Sequence, residues 1–128
     1  MNVSITIPAQ TVDTTIPAPQ IVYSNSWLGQ TSAISSTTIF TPTVGGVYRA
    51  TVSADAAGVV NDGAVGITLQ SSGSTNQFQL TQSAMTDGVS VSVTGSFIGQ
   101  SGQSIQISTT EGGTVSSYDL SVVIEQLQ

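Results

Sequence analysis

The fold of this chain is decided by the stretch Val47-Tyr48-Arg49-Ala50-Thr51-Val52-Ser53-Ala54. Within it, apolar and polar side chains alternate. Successive side chains of a β-strand point to opposite faces of a sheet, so the alternation predicts a strand with one buried face. A Gly-Gly pair at residues 45–46 marks a turn just before it.

Short apolar segments of the same kind recur along the chain between turn signals. They lie at residues 21–23, 34–40, 65–69, 78–80, 89–93, 105–107 and 118–124. Val, Ile and Thr, which are branched at Cβ, pack better on a sheet than in a helix. Because no helical segment separates these pieces, the sequence predicts an all-β protein of about ten strands, an antiparallel two-sheet β-sandwich with jelly-roll topology.

Residues 1–20 are predicted to form an extended N-terminal arm, and residues 21–128 the sandwich domain. The arm holds three of the four prolines, and its Ile-Pro-Ala at residues 7–9 recurs at residues 16–18. Proline lacks an N–H donor and favours extended backbone. Two interpretations remain open: a loosely ordered leader with a short strand at residues 3–7, or an arm that reaches a neighbouring subunit or a host particle.

The composition argues against several function classes. The chain has no His, Cys or Lys, a single cation at Arg49, seven acidic residues and a formal net charge of −6. Without a basic surface we expect no binding to nucleic acid or to anionic membranes. The usual general base, thiol nucleophile and Schiff-base amine are all missing, so we expect a non-enzymatic protein with no catalytic residue, no cofactor and no His or Cys metal site.

Three polar stretches carry alternatives. Asp62-Gly63 and Asp87-Gly88 are predicted to be turns, and the alternative is Ca²⁺ bound by either aspartate with loop carbonyls. Trp27, the only Trp, lies in the polar stretch 24–31 between predicted strands. It either covers an edge of the core or provides a ligand or docking contact.

The last strand is apolar on both faces. One face carries Tyr118, Leu120, Val122 and Ile124; the other carries Asp119, Ser121, Val123, Glu125 and Leu127. Strands that are apolar on both faces are usually buried on both sides, so the second face is predicted to meet another subunit. The alternative is that these are scattered exposed apolar residues, which are normal.

Three segments resemble the tumour necrosis factor/complement globular-head superfamily. Residues 39–50 are similar to its strand, turn and strand motif, in which a Phe, a Pro, a Gly and a Tyr lead into a central strand. Residues 101–107 resemble its Gly-Asp-x-Val segment, with Gln103 in place of Asp. Residues 116–122 resemble its closing strand, with Tyr118 at the position where Phe is usual. The resemblance covers residues 34–128. It implies a ten-strand jelly roll that assembles as a homotrimer and works by presenting a surface.

The single cation is expected to be paired. In a jelly roll the strand of Arg49 lies antiparallel beside the last strand, which would place Arg49 near Val123 with Glu125 diagonal. We therefore predict an Arg49–Glu125 ion pair within or between subunits, with Asp119 as the second choice and a solvated Arg49 as the alternative. The predicted interface comprises Arg49, Asp119, Val123, Glu125 and Leu127.

Two functions are compatible with these features. The first is a trimeric virion-associated protein of a bacterial virus, a capsid decoration or fibre head whose residues 1–20 dock on a capsid or other host particle. The hydroxyl- and amide-rich surface suits the outside of a cell, yet no signal peptide is visible, and virion proteins leave by lysis. The alternative is a ligand- or glycan-binding trimeric head of a secreted or cell-surface bacterial protein. The expected location is the virion or the extracellular space.

Overall fold

A computed structural model describes residues 19–72 and 78–127. They form eight β-strands: β1 Gln20–Gln30, β2 Thr37–Phe40, β3 Gly46–Ala57, β4 Val60–Ser71, β5 Gln79–Ala84, β6 Ser90–Gly99, β7 Ile105–Thr114 and β8 Ser117–Gln126. The described ranges contain no helix that is long and apolar enough to span a membrane. Of the predicted arm, residues 1–18 lie outside the described residues, and Gln20 begins β1.

The strands form two four-stranded sheets. Sheet I has the order β1-β8-β3-β6, and sheet II has the order β2-β7-β4-β5. Every neighbouring pair within a sheet is antiparallel. The predicted all-β, antiparallel two-sheet sandwich is therefore confirmed.

The strand count is lower than predicted: the described residues form eight strands, not about ten. Several strands are longer than the apolar segments from which they were predicted. Outward-facing Ser and Thr residues extend the alternation of polar and apolar side chains beyond those segments. The polar stretch 24–31 shows this most clearly. It was expected to be a loop, but its residues up to Gln30 belong to β1, and Trp27 therefore lies on a strand.

The core lies between the sheets and is lined by alternate residues of the central strands. The fully buried apolar side chains of sheet I include Tyr48, Ala50, Val52, Tyr118, Leu120, Val122 and Ile124. Those of sheet II include Val65, Ile67, Leu69, Ile105 and Ile107. The buried faces predicted for residues 47–54 and 118–124 are thus the observed ones.

Four aromatic rings form a row within this core. Tyr48 stacks on Phe97 with the ring centroids 5.5 Å apart and meets the edge of Phe40 at 5.8 Å. Phe97 in turn stacks on Phe78 at 4.4 Å. The Tyr48 hydroxyl donates a hydrogen bond of 2.9 Å to the Val44 carbonyl, so this buried phenol keeps a partner.

A hydrogen-bonded network ties the segment between β1 and β2 to the core. The Tyr118 hydroxyl donates to the Ser32 carbonyl at 2.7 Å and lies 2.7 Å from Thr109 Oγ1. Because the single phenolic proton goes to Ser32, Thr109 is the donor in the second bond. Thr109 Oγ1 accepts a further bond of 2.7 Å from the Ile34 N–H. Thr109 is only 4% exposed, so its hydroxyl depends on these partners.

The two Asp-Gly pairs differ from each other. Asp87 lies in the turn between β5 and β6, as predicted, and its Oδ1 accepts a bond of 2.9 Å from the Gly58 N–H. Asp62 instead lies at a register shift near the start of β4, where both Asn61 (φ 52°) and Asp62 (φ 56°) have left-handed backbone. Asn and Asp tolerate that conformation better than other residues with a Cβ.

We predict that native protein resists trypsin. The only Lys or Arg is Arg49, within β3, which is hydrogen-bonded to β6 on one side and to β8 on the other. Cleavage requires both ladders to open, whereas unfolded chain should be cut once. Mass spectrometry of timed digests with and without denaturant checks this. Rapid native cleavage after Arg49 would contradict the central position of β3.

We also predict that Tyr118→Phe destabilises the fold by about 1–3 kcal/mol, because the buried Thr109 hydroxyl loses its hydrogen-bond acceptor and the Ser32 carbonyl loses its donor. Urea unfolding gives the free energy. Tyr23→Phe, on the half-buried Tyr of β1, is the matched control and should change stability much less. Equal effects of the two variants would show that the network contributes nothing specific.

Candidate functional site: the outer face of sheet I

The outer face of sheet I is formed by the side chains of β1, β8, β3 and β6 that point away from the core. It brings together the five residues predicted to form an interface. Three of them lie at outward positions of β8, namely Asp119, Val123 and Glu125. Arg49 lies at an outward position of β3. Leu127 follows β8, and its N–H donates to the Val47 carbonyl at 2.7 Å. This face is therefore the candidate functional site, and its contact with another subunit stays a prediction.

The predicted Arg49–Glu125 ion pair is present within one chain. Arg49 Nη2 lies 3.1 Å from both Oε1 and Oε2 of Glu125, and Nε lies 3.2 Å from Oε1. The two side chains are 39% and 23% exposed, so water screens the pair only in part. The predicted register between β3 and β8 was wrong by two residues. Arg49 lies opposite Glu125 and not opposite Val123, and Val123 lies opposite Thr51.

The ion pair has apolar neighbours at its end of the face. Val47 lies opposite Ile98, whose side chain is 70% exposed, and the backbone of Leu127 bonds to Val47. Ile21 lies opposite Glu125 on the other side and is 66% exposed. Apolar side chains around a charge pair that is already partly dehydrated are what a contact surface requires.

The centre of the face carries short, uncharged side chains. One row across all four strands consists of Ser26, Ser121, Ser53 and Ser92. In the adjacent row, half-buried Val123 lies between Ser24 and Thr51, and Thr51 Oγ1 lies 3.1 Å from Thr94 Oγ1. Side chains this short let a second surface approach the backbone of the sheet closely.

Two aspartates face each other at the opposite end. Asp55 lies directly opposite Asp119 in the β3–β8 ladder, and Asp119 Oδ1 accepts a bond of 2.7 Å from the Gly29 N–H. A shallow depression of about 270 Å³ surrounds them, lined also by Leu28 and by serines of all four strands. Like charges directly opposite are unfavourable, and carboxylates beside hydroxyls can accept hydrogen bonds from a polar ligand.

The remaining predicted site residues lie elsewhere. Trp27 is half-buried opposite Leu120 and packs against the core, the contact expected if it covers a core edge. Its alternative role as a ligand or docking contact stays a prediction. Across residues 19–72 and 78–127, no three acidic side chains lie close enough together to hold a metal ion. Calcium at Asp62 or Asp87 likewise stays a prediction.

Sequence reasoning missed Asp55, Val47 and Ile98 as members of this face. For Asp55 the predicted register was misleading. With Arg49 opposite Val123, Asp55 would lie opposite Ser117, whereas the observed register places it opposite Asp119. Val47 and Ile98 carried no sequence signal, because their pairing depends on β6.

Comparison with protein-family models, with curated proteins and with solved structures found no match for this chain.

We predict that Asp55→Asn stabilises the protein by about 0.2–1 kcal/mol at low ionic strength, because it removes a like-charge pair. The gain should shrink as salt screens the charges. Urea unfolding at low and high ionic strength measures both effects. Glu111→Gln, an exposed acid on β7, is the control for reduced net charge alone. If both variants stabilise equally, the effect is one of overall charge and the Asp55–Asp119 repulsion is negligible.

Proposed function

We propose that this chain is a non-enzymatic structural protein: a homotrimeric, virion-associated jelly roll that serves a bacterial virus as a capsid decoration or fibre head. The observation that carries the proposal is the outer face of sheet I. It is lined by hydroxyls at its centre, and its apolar end surrounds the only cation of the chain. Such a face gains from contact with another subunit.

The strand order supports a jelly roll of eight strands. β1 pairs with β8, β2 with β7, β3 with β6 and β4 with β5. These are the pairs of one long antiparallel ribbon that is folded over, and wrapping the ribbon gives two sheets of four strands, as in double-sheet jelly rolls. The topology proposed here is the one implied by the family resemblance of residues 34–128, with fewer strands.

Assembly is favoured by the chemistry of β8. Val123 and Glu125 are only partly exposed in a single chain, so a modest additional contact would bury them. The charges of Arg49 and Glu125 already neutralise each other, which lowers the cost of removing them from water. The family resemblance implies a three-fold arrangement of such subunits.

A role on a virion is favoured by the sparsely charged surface and by the arm. Only 6% of the residues are charged, far fewer than the roughly 25% of ordinary globular domains. Long-range electrostatics therefore do little to choose a partner, and shape and apolar contact must do so. Residues 1–18 precede β1 and are the segment proposed to contact a shell beside the trimer.

The Asp55–Asp119 depression favours a second candidate function, that of a glycan-binding head. Its two carboxylates and surrounding serines can bond to sugar hydroxyls. A glycan array separates the two functions. Glycan binding that is lost in Asp55→Ala, while light scattering shows the oligomeric state of the wild type, would favour the second, because Asp55 is not among the five predicted interface residues.

We predict that the purified chain has a solution mass of three times 13.0 kDa and that Val123→Asp dissociates it to monomers, because the substitution places a charge in a desolvated contact. Light scattering coupled to size exclusion measures the mass. Val60→Asp makes the same change at an exposed valine of sheet II and should leave the trimer intact. A monomeric wild-type chain would end the proposal of a trimer.

A further inference from the structure

The free edge of β6 lacks the charges, prolines and bulges that normally protect an edge strand. β6 is the last strand of sheet I, and no other described strand pairs with its outer side. It runs for ten residues against β3 without a register shift and contains neither a charged residue nor a proline. Natural proteins protect such edges with charges, prolines, bulges or short strands, because an open edge is a template for another strand.

The other three sheet edges are less available. β1 is interrupted by two register shifts, and β2 has only four residues and one shift. β5 has six residues. β6 is thus the long, regular edge among the described strands.

The inward side of β6 is also incompletely covered. Val91 and Val93 point toward the core but are only half-buried, whereas their partners on β3, Ala54 and Val52, are buried. Leu80 of β5, likewise half-buried, lies over Gly95, so closely that a Cβ there would come within 2.6 Å of Leu80 Cδ2. Gln82 of β5 also reaches β6, and its Nε2 donates a hydrogen bond of 3.2 Å to the Ser92 carbonyl. Val91 and Val93 stay half-buried despite these contacts, and a strand added to β6 would cover them further.

One segment outside the described residues has the matching pattern. Residues 3–7, Val-Ser-Ile-Thr-Ile, alternate as residues 91–94, Val-Ser-Val-Thr, do, and Pro8 ends the run. We propose that residues 3–7 of a second copy of this chain add to β6 as an antiparallel strand, with Val3, Ile5 and Ile7 covering Val91 and Val93. The proposal rests on the homo-oligomer proposed above and specifies how its subunits are joined.

A second copy fits better than the arm of the same chain. β1 begins at the end of sheet I where β6 finishes, because Gln20, Gln126, Tyr48 and Phe97 lie in one row. An arm that passes directly from its own β6 to β1 would run parallel to β6, in a sheet whose other pairs are antiparallel. An antiparallel arm of the same chain would have to return about 30 Å diagonally across the outer face of sheet I. That path covers the surface proposed for subunit contact.

Cysteine cross-linking tests the proposal, since the natural chain has no Cys. One full-length variant carries Ile5→Cys, and a second carries Val91→Cys or Val93→Cys, because directly opposed residues of an antiparallel pair bring their Cβ atoms within disulfide range. The two variants are mixed, unfolded and refolded together, and oxidised. We expect a disulfide-linked heterodimer of one chain of each kind. Thr6→Cys replaces Ile5→Cys in the matched control, because Thr6 would point to the opposite face, and this control should cross-link several-fold less.

A doubly substituted chain, Ile5→Cys with Val93→Cys, distinguishes the source of the arm. Covalent dimers and trimers on a denaturing gel support exchange between copies, whereas a disulfide within one chain overturns it. No preferential cross-link to either valine also overturns the proposal. Light scattering of the same samples separates the two proposals: a trimer without cross-links refutes only the arm exchange, and a monomer refutes the trimer itself.

Discussion

The antiparallel ladder between β3 and β8 is the constraint on which the rest of this structure depends. It joins residues 48–57 to residues 117–126 without a register shift. Because side chains alternate between faces, a slip of one residue would move Tyr48, Val52 and their neighbours out of the core and Arg49 into it. The ladder therefore fixes the core, the ion pair and the aspartate pair together.

One consequence of this register is a polarised outer face. At one end the only cation of the chain is neutralised by Glu125 and flanked by apolar side chains. At the other end Asp55 and Asp119 oppose each other, and the backbone of Gly29 satisfies one carboxylate oxygen. The serines between them carry no charge. A partner that meets this face thus finds an apolar end suited to burial and an acidic end suited to hydrogen-bond donors.

The two proposed contacts use different parts of sheet I. The outer face would meet a neighbour through side chains, whereas the edge of β6 would meet it through backbone hydrogen bonds. Each contact in a ring is heterologous, so one subunit can give its arm to the next and receive one from the previous subunit. A chain with so few charges lacks the electrostatic complementarity that often selects partners. Backbone hydrogen bonds between an arm and β6 would help to fix how one subunit is aligned on the next.

The sequence by itself determined the all-β class and the buried faces of the central strands. Alternation with a period of two was sufficient at residues 47–54 and 118–124. The scarcity of cations made a paired Arg49 the expectation, and the strand order implied by the jelly-roll resemblance pointed to Glu125. The rung at which Arg49 meets β8 was decided only by the tertiary structure, because a shift of two residues preserves the same faces and leaves the sequence pattern equally satisfied. The length of β1 was decided in the same way. Its Ser- and Asn-containing stretch has little strand preference of its own and becomes a strand because β8, distant in sequence, supplies the hydrogen-bonding partners.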